Sequence, residues 1–311
     1  GVFMVCKNLY GLTFKENKDL PVYHPDVVGY EVLENNQVIA ILYMDYFPRE
    51  SKSSGAWMTN FREQYVDNGK NVLPIISLVF NFTKPTGDTP SLLNFDETST
   101  FFHEFGHGLH GMLSKCNYRS LAGTNVSRDF VELPSQILEH WGAEPEVMKM
   151  YAKHYKTGEV IPDELIAKIE AAGTYGQGFI NTELLAASFL DMDYHNITTP
   201  TQITLPEFEN KALAKIGLIP EIISRYKSSY FKHIFSGGYS AGYYSYTWAA
   251  VLDSDAFQAF KEKGIFDPAT AKAFRTNILE KGNTADPMEL YVAFRGKAPS
   301  IDPLLKNRGL K

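Results

Sequence analysis

At 311 residues, 44% of them apolar, the chain is long enough for a sizeable core and allows one large domain or two smaller ones. The formal net charge of −6 is modest and the lysines and arginines are dispersed, which excludes the basic stripe that nucleic acid or an anionic membrane surface requires. Cys6 and Cys116 lie far apart with no repeating spacing, which suits a reducing compartment rather than a disulfide framework, although one long-range bridge would also fit.

The opening, "GVFMVCKNLYGLTF", is structured-looking from Gly1 onward, the pattern expected of a piece of a longer chain whose targeting signal would lie upstream. "VGYEVLENNQVIAILYMDYF" alternates apolar and polar residues on both sides of Asn35 and Asn36, which predicts a β-hairpin turning there. "PRESKSSGAWMTNF" reads as a loop leading into a short extended edge at Gly55 to Met58. "VLPIISLVFNF", Val72 to Phe82, is the longest apolar run; it falls short of the roughly 20 residues that cross a bilayer and reads as a buried strand. From Asn94 the pattern is helical, near 96–113, 129–142, 144–156, 162–195, 205–216, 220–233, 241–264 and 268–281. With no repeat and no linker rich in Pro, Gly and Ser, the expectation is one domain over residues 1–311, mostly α with a small β-sheet.

Within the first of these helices, "FFHEFGHGLHGML" runs from Phe101 to Leu113. Asn94 with Glu97 three residues on offers an N-cap, and Asp96 and Glu97 suit the helix dipole. Phe101, Phe105, Leu109 and Met112 form an apolar face, while His103, His107 and His110 recur on another. His103, Glu104 and His107 make H-E-x-x-H: two imidazoles one turn apart suit a zinc ion, and the glutamate between them can take a proton from the water beside it. Three glycines, Gly106, Gly108 and Gly111, each cost such a helix about 1 kcal/mol relative to alanine, which predicts close approach by a neighbouring element.

A catalytic zinc needs a third protein ligand and an open position. The metzincin spacing fails, because the positions it would fill with Gly and His hold His110 and Leu113; His110, two turns from His103, is read as structural or supporting. "RDFVELPSQILEHW" is the better source, with Asp129, Glu132, Gln136 and Glu139 on one helical stripe. Glu132 can ligate, and Asp129 and Glu139 can accept hydrogen bonds from the far nitrogens of His103 and His107; a solvated acidic face would give the same pattern, and Pro134 kinks the helix or restarts it. Finally, "HIFSGGYSAGYYSYTW" sets His233, Tyr239, Tyr243 and Tyr246 around a Gly-rich turn, where phenol and imidazole N–H groups are suitable donors to an oxyanion; an aromatic core stripe is the plainer alternative.

These residues resemble the thimet oligopeptidase family of zinc metallopeptidases, and within it the bacterial peptidyl-dipeptidase (dipeptidyl carboxypeptidase) branch. The resemblance runs through "GLTF", "VYHPDV", "SKSSGAWM", "FHEFGHGLHG", "GTNVSRDFVELPSQILEHW", "SSYFKHIFSGGYSAGYYSYTW" and "FRGKAPSIDPLL", covering essentially the whole chain. It implies a zincin-like catalytic domain with one Zn2+ held by His103, His107 and Glu132, Glu104 as general base, and Asp129 and Glu139 supporting the ligands. By the same match His233, Tyr239 and Tyr246 serve substrate and transition state, and Gly55, Ala56 and Tyr243 bind the peptide, which adds along the edge strand. It implies an enzyme releasing dipeptides from the C-terminus of oligopeptides; the cysteine usage leads to the expectation of a cytoplasmic setting, and the charge distribution to that of no nucleic-acid or membrane partner. The alternatives are an oligopeptidase A-like endopeptidase and a catalytically silent peptide-binding module. Members of the family are about twice as long, so the helical N-terminal half, the opposite wall of a channel, is the expected partner. Arg128, Arg275 and Lys281 are candidates to hold a substrate carboxylate.

Overall fold

The computed structural model describes residues 1–200 and 202–311. Helix α1 (Val2–Tyr10) leads into β1 (Thr13–Glu16), β2 (Val27–Glu34), β3 (Gln37–Asp45), β4 (Trp57–Arg62), β5 (Tyr65–Asp67), β6 (Lys70–Val72) and β7 (Ile75–Val79). The remainder is helical: α2 (Phe95–Met112), α3 (Leu133–Ala143), α4 (Pro145–Tyr151), α5 (Asp163–Gly173), α6 (Gln177–His195), α7 (Leu205–Lys215) and α8 (Lys232–Phe235). Then follow α9 (Ser245–Lys263), α10 (Pro268–Phe274), α11 (Pro287–Arg295) and α12 (Asp302–Asn307). The fold is mostly α with a small mixed sheet, as the sequence predicts.

The main sheet has the order β1-β2-β3-β7-β4. The predicted hairpin forms, and both of its asparagines adopt positive φ, 49° at Asn35 and 61° at Asn36, the conformation that a two-residue turn matched to strand twist demands. Strand β7 lies parallel to β3 and antiparallel to β4, buried along most of its length, which is why its sequence is a continuous apolar run. The predicted edge strand begins at Trp57, two residues late, because Gly55 has a φ of 92°. A second hairpin, β5 with β6, turns at Asn68 and Gly69.

Helix α2 is where the sheet and the helical layer meet. Its start is a reciprocal capping box: the Asn94 side chain accepts from the Glu97 N–H at 2.8 Å and the Glu97 carboxylate accepts from the Asn94 N–H at 2.9 Å, a device worth about 1 kcal/mol. Phe102, Phe105 and Leu109 of α2 share one core with Leu42, Ile76 and Leu78 of the sheet, Ile137 and Trp141 of α3, and Phe257 and Phe260 of α9. Each such side chain contributes about 1.5–3 kcal/mol when fully buried.

The three helix glycines are all in contact, as expected. A Cβ on Gly106 would stand 2.2 Å from the Pro134 carbonyl oxygen and 2.6 Å from Ser135 Cα, so α2 and α3 touch backbone to backbone there. Gly108 faces Leu78, and Gly111 faces Ile76 and Met58. Glycine at these points lets the helix lie directly on the sheet and on α3.

Other helical expectations needed correction. The span 129–142 starts only at Leu133, with Pro134 in its first turn, where a missing N–H is tolerated. The span 144–156 stops at Tyr151. The span 162–195 is two helices, broken at Gly176 with φ 68°. Residues 220–233 are mostly turns, with a 3-10 turn at Ser228–Tyr230 before α8, and 268–281 passes from α10 into a π-helical turn, Arg275–Leu279. A smaller aromatic cluster, Phe231, Ile234 and Tyr243 with Ala187, joins α8 and α9 to α6. Both cysteines are free and buried, and no helix among the described residues is long and apolar enough to cross a membrane.

Candidate metal centre and active site

His103 and His107 sit one turn apart on α2, and Glu132 ends the turn before α3; the backbone contact at Gly106 holds those two segments together. Glu132 Oε2 stands 3.3 Å from His103 Nε2 and 3.2 Å from His107 Nε2, and one donor atom from each residue lies within 4.8 Å of the others. A tetrahedral ion with bonds of about 2.0–2.1 Å spaces its donors by about 3.3 Å, so this set fits a metal of zinc's size with little rearrangement. The electrostatics agree. Burial opposes a charge on His103, yet hydrogen bonding to Glu132 and Glu139 keeps its pKa well above the imidazole range; burial opposes a charge on Glu132, yet His107 and His103 hold its carboxyl well below the carboxylate range. The donor set asks for positive charge at its centre.

Surrounding groups fix these donors. Glu139 Oε1 lies 2.6 Å from His103 Nδ1, and Ser99 donates to Glu139 Oε2 at 3.0 Å. Ser135 Oγ donates to Glu132 Oε2 at 2.9 Å. Neither serine is among the sequence candidates, though Ser135 stands three after the Glu132 it binds; Ser99 stands four before His103 but binds Glu139, 40 positions on. Asp129 differs from expectation: with the helix restarting at Leu133 it lies in the preceding turn, where it accepts from the Tyr244 hydroxyl at 2.9 Å. His107 Nδ1 is buried with no hydrogen-bond partner. His110 is fully buried, its pKa pushed down to about 3 by burial, and takes no part in the donor set.

Glu104, 6% exposed, has one carboxylate oxygen, Oε2, buried without a partner. Burial raises its pKa above the carboxylate range against the pull of His103 and His107, which suits a proton acceptor. The Tyr239 hydroxyl donates to Glu132 Oε1, and the Tyr239 and Tyr246 rings stack 5.3 Å apart. Burial raises both phenols above their ordinary pKa, so both are neutral donors. His233 is half-buried, held below the imidazole range by burial and by Arg225, with its Nδ1 unpartnered. Tyr243, 2% exposed, packs beneath these rings against Phe231 and Tyr226 instead of opening to solvent.

The loop carrying Tyr239 is pinned from outside the site. Asp191 of α6, fully buried, accepts from the backbone N–H groups of Ala241 and Tyr243, both at 2.9 Å, and meets His195 Nδ1 at 2.7 Å. Gly55 and Ala56 lead into the edge strand β4; the Gly55 carbonyl accepts from Asn81 Nδ2 at 2.7 Å. Among the carboxylate-binding candidates, Arg275 is clamped by Glu34 and Glu280. Lys281 stands beyond the C-terminal end of α2, its carbonyl accepting from Cys116 Sγ.

The model of peptidase family M3 matches residues 1–310, and the chain belongs to that family, the thimet oligopeptidase family of metallopeptidases. It is 46% identical to the dipeptidyl carboxypeptidase of Escherichia coli K12 and 40% identical to oligopeptidase A of the same strain, each alignment covering 100% of this chain and 46% of the relative. The chain thus spans about half the length of these relatives. Among solved structures, Pyrococcus furiosus carboxypeptidase shares the fold, with a TM-score of 0.53 at 16% identity over 85% of this chain and 53% of that one.

Removing the carboxylate of Glu132 tests the donor set directly. Glu132→Ala is expected to lower zinc affinity at least tenfold, as loss of a protein ligand should; equilibrium dialysis showing unchanged zinc occupancy would place the third ligand elsewhere.

Proposed function

We propose that the chain is the catalytic domain of a zinc peptidyl-dipeptidase, which releases dipeptides from the C-terminus of oligopeptides. The observation that carries this reading is the convergence of His103, His107 and Glu132, beside an unpartnered Glu104 carboxylate oxygen and with a tyrosine hydroxyl on Glu132. When bound, zinc supplies Lewis acidity toward the scissile carbonyl and lowers the pKa of water. Glu104 takes the proton of the attacking water and delivers it to the departing amine. Tyr246 and His233, both neutral, donate to the oxygen that becomes negative, and Tyr239 holds Glu132 in place until it too turns to substrate. Strand β4, at the sheet's edge, offers unpaired backbone groups to an extended peptide, with Gly55 and Ala56 at its entrance. We assign Glu139 to orienting His103 and Tyr243 to packing under the donors. The opposite wall of the cleft comes, in this proposal, from an N-terminal half like that of the longer relatives, and two free thiols suit a cytoplasmic setting.

The second reading, endopeptidase action on short peptides, is favoured by the similarity to oligopeptidase A. Product analysis separates the two. A peptide of about ten residues is expected to lose dipeptides successively from its C-terminus; internal cuts with no dipeptide released would favour the endopeptidase.

A further inference from the structure

Arg128 precedes Asp129 in the turn that leads to Glu132, and its side chain lies along the Gly-rich loop. Its guanidinium carbon stands 4.6 Å from the centre of the Tyr239 ring. A Cβ on Gly238 would come within 3.2 Å of Arg128 Nη2, and one on Gly242 within 3.2 Å of Cγ, so two glycines leave the slot in which this arginine rests. Stacking occupies the flat face of a guanidinium and leaves its N–H edge free, and that edge matches a carboxylate in a two-bond fork. Arg128 is exposed and, among the described residues, is engaged in no ion pair; the neighbouring Asp129 is turned to Tyr244. Arg225, the other arginine beside the tyrosines, faces Glu183 at 3.7 Å.

The ring under Arg128 is the one whose hydroxyl touches Glu132, so a single tyrosine separates this free cation from the metal donors. Two extended residues span about 7 Å, comparable with one tyrosine ring and the contact on either side of it. We propose that Arg128 receives the C-terminal carboxylate of the substrate and thereby sets the length of the released product at two residues. This assignment rests on the peptidyl-dipeptidase reading.

The test compares kcat/KM for one peptide with a free and with an amidated C-terminus, using the full-length zinc-loaded enzyme and its Arg128→Ala, Arg128→Lys and Arg225→Ala variants. Wild type is expected to prefer the free acid, and Arg128→Ala to lose about 10- to 100-fold on that substrate, chiefly in KM, so that the acid-to-amide ratio falls toward one. Arg128→Lys should restore part of the ratio, and Arg225→Ala should keep it. An Arg128→Ala enzyme that slows equally on both peptides overturns the assignment, since the arginine would then only steady Tyr239. Loss of the ratio in Arg225→Ala alone overturns it as well. A wild type indifferent to the C-terminus would remove the peptidyl-dipeptidase reading itself, and this assignment with it.

Discussion

Glu104→Gln is expected to retain one zinc ion per chain and to lose about 10²–10⁴-fold in kcat. The substitution keeps the shape of a side chain that is 6% exposed, so packing is undisturbed, and it leaves the three metal donors untouched. What it removes is basicity: an amide cannot accept the proton of the attacking water. Stopped-time assays with zinc content measured on the same sample check this. Substantial turnover by the zinc-loaded variant would move the base elsewhere, and loss of zinc would make Glu104 a ligand. The experiment also separates an enzyme from a silent peptide binder, because binding has no need of this proton acceptor.

Gly106→Ala should be strongly damaging for a one-methyl change. Alanine gains about 1 kcal/mol in helix propensity over glycine, but its Cβ would meet Pro134 and Ser135 backbone at 2.2 and 2.6 Å, where no rotamer offers relief. Overpacking of this kind costs about 1–3 kcal/mol or more, so the clash outweighs the propensity. Because Glu132 lies at the start of α3, pushing α3 away from α2 also draws the carboxylate from the two imidazoles. Denaturant melts and zinc titration should therefore fall together. Gly173→Ala, in a helix with nothing within 4 Å, is the control and should be neutral or stabilising. A Gly106→Ala protein as stable as wild type, with the same zinc affinity, would contradict the account.

What could be read from the sequence followed local rules. The capping box at Asn94, the asparagine turn at Asn35 and Asn36, and the H-E-x-x-H spacing are written in adjacent residues, and the structure builds each as expected. Glu132 was a candidate from its stripe, although the stripe was drawn on a helix that Pro134 delays. Some omissions had usable signals: Asn68-Gly69 marks the β5–β6 hairpin, and Asp286-Pro287 announces α11, where Asp286 caps the N–H groups of Met288 and Glu289. Others had none. Asp191 lies some 50 positions from the N–H groups it accepts, and the free state of Arg128 depends on where Asp129, Glu183 and two glycines fall in space.

The Asp191 contact gives the molecule a mechanical link. One carboxylate fastens the backbone at Ala241, held at a φ of 53°, and at Tyr243, between Tyr239, whose hydroxyl touches Glu132, and Tyr246. The loop therefore travels with α6 as a lever travels with its mounting. That helix also presents Phe179, Ile180, Leu185 and Phe189 to solvent. Pressure on those side chains reaches the tyrosines without passing through α2, and through the Tyr239 hydroxyl it reaches Glu132, so the seating of α6 is a second route into the site beside the contact of α2 with α3.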